Sequence, residues 1–95
     1  MKEVSDLKLD RYFDITSRAL EKVKIVSPPS FDVKTIADDF LDMAKRYFED
    51  AHYFRTKGDY VTALAAVSYA HAWLDAGARI GVFDVDHDSE LFTVD

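Results

Sequence analysis

Residues Gly58 to Phe83, GDYVTALAAVSYAHAWLDAGARIGVF, decide the fold. Gly58 stops whatever precedes it, and Asp59 can cap the free N–H groups of a helix that starts at once. The stretch that follows contains no proline and is rich in alanine, so it reads as one long helix. This helix is apolar on two sides. Tyr60, Ala63, Leu64, Val67, Leu74 and Ala78 share one face. Ala66, Tyr69, Trp73, Ile80 and Phe83 share another, roughly 140° around the helix at 100° per residue. Ser68, Asp75 and Arg79 form a narrow polar strip with His71 at its edge. A helix wetted on so little of its circumference is central in a bundle or carries a second interface.

Working backward, Val33, Ile36, Ala37, Phe40, Leu41, Ala44, Tyr47, Phe48, Ala51 and Phe54 recur at three and four, which predicts a helix over about 31–57. Its other face carries Asp38, Asp39, Asp42, Lys45, Arg46, Glu49 and Asp50. Ser30 is the expected N-cap, with Asp32 near the positive helix end. So short a link to the helix over 59–83 requires an antiparallel hairpin. Upstream, Leu9, Tyr12, Phe13, Thr16, Ala19, Leu20 and Val23 form the stripe of a first helix over about 6–25. Ser27-Pro28-Pro29-Ser30 ends it, because two prolines cannot continue a helix. The fold class expected is all-α: an antiparallel three-helix bundle, up-down-up, over 1–83, followed by an acidic, non-helical tail over 84–95.

Ninety-five residues with 48% hydrophobic and 14% aromatic content make one globular domain. Without cysteine there is no disulfide framework, thiol nucleophile or Cys-based zinc site. The net charge of −6 is uneven: 12 Lys/Arg against 13 Asp/Glu over 1–83, then five acids and no base over 84–95. A nearly neutral body with an acidic tail lacks the basic footprint that nucleic acid requires. No apolar run approaches the roughly 20 residues of a membrane span. The expected setting is cytoplasmic, with no nucleic-acid or membrane partner.

Two constellations could carry chemistry. His71, Asp75 and Arg79 stand at i, i+4 and i+8, where a carboxylate between an imidazole and a guanidinium could orient a base or, with Ser68, hold a small anion. The same spacing also describes a surface ion-pair ladder. Asp84, Asp86, Asp88 and Asp95 follow the 1, 3, 5, 12 spacing of a calcium loop, but Ser89 stands where that loop needs glycine and no helix follows. His52 and His87 complete no ligand set, so no metal, cofactor or catalytic residue is assigned.

Gly58-Asp59-Tyr60 followed by Ala63, Val67 and Ala70 is similar to half of a tetratricopeptide repeat, without a second copy. A broader resemblance rests on Ala44-Lys45-Arg46-Tyr47-Phe48-Glu49-Asp50-Ala51, Gly58-Asp59-Tyr60, Ala63, Ser68-Tyr69-Ala70-His71, Trp73-Leu74-Asp75-Ala76-Gly77, Arg79, Gly81 and Phe83. These residues resemble a small archaeal family, domain of unknown function 357. That resemblance implies a compact three-helix bundle in an archaeal cytoplasm, with no assigned activity. Arg46 and His52, with five residues between them, also resemble the Arg–His motif of HEPN-family ribonucleases, although the two side chains project about 120° apart.

The functional expectation is a non-enzymatic protein-interaction module. Its partner is another protein or a second copy, and Tyr69, Trp73, Ile80 and Phe83 are the candidate interface. The alternatives are a HEPN-like ribonuclease and a binder of small anions through Ser68, His71, Asp75 and Arg79.

Overall fold

The computed structural model describes residues 4–26 and 32–93. Among them are three helices and no strand: α1 (Asp6–Lys22), α2 (Val33–Thr56) and α3 (Tyr60–Ile80). The all-α, three-helix reading holds. No helix of the described residues is long and apolar enough to cross a membrane.

Each start is capped by a side-chain oxygen. Ser5 accepts from the Lys8 N–H at 3.1 Å, Asp32 from Thr35 at 2.7 Å and Asp59 from Thr62 at 3.1 Å. Ser30, the cap expected for α2, lies outside the described residues, and Asp32 holds that position. Both carboxylates are acidified by these bonds. The Thr35 backbone N–H, then the Thr35 side chain, lower Asp32 below its ordinary value. The Thr62 side chain, then its N–H, do the same for Asp59.

The stops of α2 and α3 are glycines in the left-handed region, where a Cβ would be strained: Gly58 at φ 78° and Gly81 at φ 84°. At Gly58, the Asp59 N–H returns to the Phe54 carbonyl and the Gly58 N–H to that of Arg55. At Gly81, the Val82 N–H returns to Gly77 and the Gly81 N–H to Ala78. Both ends are Schellman motifs. The second closes α3 at Ile80, three residues before the expected end, and Phe83 folds back over Gly77. A Cβ on Gly77 would overlap the Phe83 ring.

α2 and α3 pack along their lengths. Ring contacts run in opposite order along them, Phe40 with Trp73 and Tyr47 with Tyr69, so the two helices form an antiparallel hairpin. What lies between them is small. The buried apolar residues are Ala44, Ala51, Ala63 and Ala70, with Gly77 buried beside them. Their spacing is seven on each helix, the repeat that keeps two helices in register along a seam. The large side chains flank the seam on both sides, and none is fully enclosed among the described residues.

α1 packs on neither partner. Its stripe was expected to complete the bundle. Instead its first half borders a recess of about 300 Å³ against Val61, Thr62 and Ala65 at the start of α3. These short side chains give the stripe little to interlock with. Tyr12, Phe13 and Leu20 of the stripe stand 57%, 68% and 73% exposed.

Two predictions follow from the seam and the caps. Ala70→Leu should destabilise the hairpin by about 1–3 kcal/mol through overpacking, whereas Leu64→Ala, on an exposed side chain, should change stability by less than about 0.5 kcal/mol in urea titration. Because the Asp32 and Asp59 pKa values are lowered on folding, their contribution is complete above the ordinary aspartate value of 3.8 and is lost as pH falls through the lowered values. Asp59→Asn keeps a capping side chain without a titrating charge. It should therefore flatten the acid limb of the thermal midpoint against pH; an unchanged limb would refute the assignment.

Candidate functional site

The two sides of the α2–α3 seam differ. On one side Trp73 sits edge-on to Phe40, with ring centroids 5.0 Å apart, and Tyr69 tilts against Tyr47 at 4.3 Å. Tyr69 also lies 6.1 Å from Trp73. Aromatic pairs of this kind contribute about 0.5–1.5 kcal/mol each beyond area burial. Two of the four residues expected at an interface are therefore already engaged within the hairpin. Phe83 covers Gly77, and Ile80 stands at the surface. Tyr69 and Ile80 remain 41% and 57% exposed.

The opposite side is open. Leu41, Phe48, Val67 and Leu74 line a recess of about 260 Å³ whose floor is Ala44 and Ala70. It adjoins a second recess of about 380 Å³, floored by Ala51 and Ala63 and walled by Tyr60 and Leu64. Phe48 and Val67 belong to both, so the two form one apolar groove along the hairpin. Leu64 is 66% exposed and Phe48 is 52% exposed. Lys45, Arg55 and His52 edge the groove on α2, and His52 packs edge-on against Phe48 at 4.7 Å.

The polar strip of α3 splits in two. His71 Nε2 lies 3.6 Å from Asp75 Oδ1. The remaining capacity of Asp75 goes to the tail: Oδ1 accepts the Thr93 N–H at 2.9 Å and Oδ2 accepts from Thr93 Oγ1 at 3.2 Å. The Phe92 ring stacks on the His71 imidazole at 6.1 Å and 22°. Ser68 and Arg79 are exposed and take no part in this group. His71 and Asp75 thus hold the tail onto α3, and an anion pocket built from all four residues is not assembled. Asp75 was legible as the carboxylate of the strip. Thr93 was not, because nothing in a lone threonine eighteen residues away signals its partner.

The tail itself is a series of turns. Asp84 Oδ1 accepts the Asp86 N–H, and Asp88 Oδ1 accepts those of Glu90 and Leu91. These carboxylates serve their own backbone. No group of His, Asp or Glu among the described residues is arranged to hold a metal, and Asp95 of the calcium-loop spacing lies outside them. On α2, Arg46 pairs with Asp42 at 2.9 Å on the solvated face, whereas His52 lies in the groove. The two residues of the ribonuclease-like spacing do not share a site.

The tail contact is testable by amide exchange. Asp75→Ala should remove protection at the Thr93 amide while helical content stays unchanged. Truncation at Asp84 should likewise leave the hairpin helical. Protection at Thr93 that survives the substitution would show that Asp75 is not the anchor.

The hairpin, its caps and part of α1 fall within the stretch matched by a known family model, Protein of unknown function (DUF357), which covers residues 11–83. The matched stretch ends where Phe83 folds back, so the tail bound by Asp75 lies beyond it. No curated protein matches the chain, and no solved structure does. With the matched stretch taking in nearly all of the helical part, this chain belongs to the DUF357 family.

Proposed function

We propose that this chain is a non-enzymatic, cytoplasmic helical interaction module, whose partner is a protein or a second copy. The observation that carries the reading is the open groove. A small-residue seam leaves large apolar side chains on its rim, and contiguous exposed apolar surface of this kind marks interfaces. Of the two sides of the hairpin, the Leu41–Leu64 side is the better docking surface, because the Tyr69–Trp73 side has already spent its rings on α2. Phe48 and Tyr60 supply the aromatic anchors that interfaces favour. The groove is apolar along its floor and basic along one edge, which suits an amphipathic helix with an acidic border.

Phe48→Asp and Leu64→Asp test this reading, since both side chains are exposed in the single chain. Each variant should keep its helicity and lose association, whether with itself by sedimentation or with a protein that co-purifies with the tagged wild type. If either variant unfolds, the groove is a core and not a docking surface. If the wild type is monomeric and co-purifies with nothing that the variants lose, the reading fails.

A further inference from the structure

We propose that the Leu41–Tyr60 groove of each chain takes helix α1 of a second copy, so that two chains exchange their first helices. This names the partner of the interaction surface and rests on the reading above.

Surface area supplies the first argument. The chain exposes 8159 Å², whereas a folded monomer of 10.8 kDa exposes about 5,500 Å². Its radius of gyration is 15.8 Å, against about 12 Å for a compact domain of this length. The excess surface is roughly 2,600 Å² per chain, or about 5,200 Å² for two, at the upper end of what obligate dimers bury. Exposed apolar side chains on both the groove (Phe48 52%, Leu64 66%) and the α1 stripe (Phe13 68%, Leu20 73%) contribute to it.

The two features also match in length. α1 is 17 residues, or about 26 Å at 1.5 Å per residue. The groove runs along α2 from Leu41 to Arg55, or about 21 Å on the same rise.

Charge gives the direction. Lys45 and Arg55 edge the groove on α2, no Asp or Glu lines either recess, and neither base has an ion-pair partner among the described residues. On α1, Asp6 borders one side of the stripe with Asp10 beyond it, while Lys8 borders the other with Lys22 beyond it. Laid opposite in direction to α2, with its stripe facing down, α1 turns the acidic border toward Lys45 and Arg55. The reverse direction turns it toward α3.

The chain's own α1 sits elsewhere. Its first half borders Val61, Thr62 and Ala65, outside the groove. A second copy fills the groove by a two-fold exchange that buries the same surfaces twice.

The chain has no cysteine, so single cysteines report proximity cleanly. Thr16→Cys lies mid-stripe on α1, and Phe48→Cys lies at the middle of the groove, where an α1 running opposite to α2 brings Thr16. The two single variants are unfolded, mixed, refolded together and mildly oxidised. The expected product is a disulfide joining one chain of each kind, together with a wild type that sediments at twice the chain mass at 100 μM. Leu20→Asp, an exposed change in the isolated chain, should raise the dimer dissociation constant at least tenfold with helicity retained. The exchange is overturned if the wild type has the mass of one chain at 100 μM. It is equally overturned if Thr16→Cys and Phe48→Cys cross-link only when placed in the same chain, which would mean that α1 closes on its own groove. A monomer whose Phe48→Asp variant still loses a co-purifying protein would overturn the exchange and leave the interaction-module reading standing.

Discussion

The hairpin depends on a seam of side chains no larger than a methyl group. Ala44 and Ala51 on α2 meet Ala63, Ala70 and the neighbourhood of Gly77 on α3, and these are the buried residues among those described. The side chains at a helix contact set how near the two axes come, so an alanine seam brings the backbones close. A methyl group contributes little by its own burial, about 0.8 kcal/mol. Its larger effect is geometric. Bringing the helices close places Phe40 against Trp73 and Tyr47 against Tyr69, while every larger apolar residue is pushed to the flanks. The same choice that makes the pair tight prevents it from enclosing a core.

Everything else is arranged around that pair. Gly58 and Gly81 set its ends through the same left-handed closure, and Asp32 and Asp59 set its beginnings through the same carboxylate bond. Gly77 does a second job: its missing side chain makes room for Phe83, so the chain leaves α3 by turning back along it. The tail then runs beside α3 far enough for Thr93 to reach Asp75 and Phe92 to reach His71. A polar strip that resembles the start of a catalytic arrangement serves as an anchor. His71 stands at the border between that anchor and the open groove and touches both.

The helices, the capping aspartate at position 59 and the glycine stop at position 58 could be read from local pattern, whereas the stop at Gly81 could not, since α3 was expected to run to Phe83. Periodicity, capping and left-handed glycines are properties of a few consecutive residues, and they needed no knowledge of what lay across the fold. The double-sided character of α3 was equally plain in the spacing of Leu64, Val67, Tyr69, Trp73 and Leu74. The alanine seam was present as a seven-residue spacing in both helices, but it was masked by the larger residues beside it. A reading weighted by hydrophobicity puts Leu and Trp at the centre, whereas close packing puts Ala there.

The sequence by itself determined three amphipathic helices, where α1 and α3 begin, and the fact that α3 has more apolar face than one neighbour can cover. Only the tertiary structure decided which face met which. It placed the alanines rather than the leucines between α2 and α3, gave Asp75 to Thr93 rather than to Arg79, and left α1 outside the groove. The physical reason is that helix formation is fixed by interactions within one or two turns. The partner of a face is fixed by shape and charge complementarity between segments far apart in the chain, and an apolar stripe carries little information about which of several apolar surfaces will receive it.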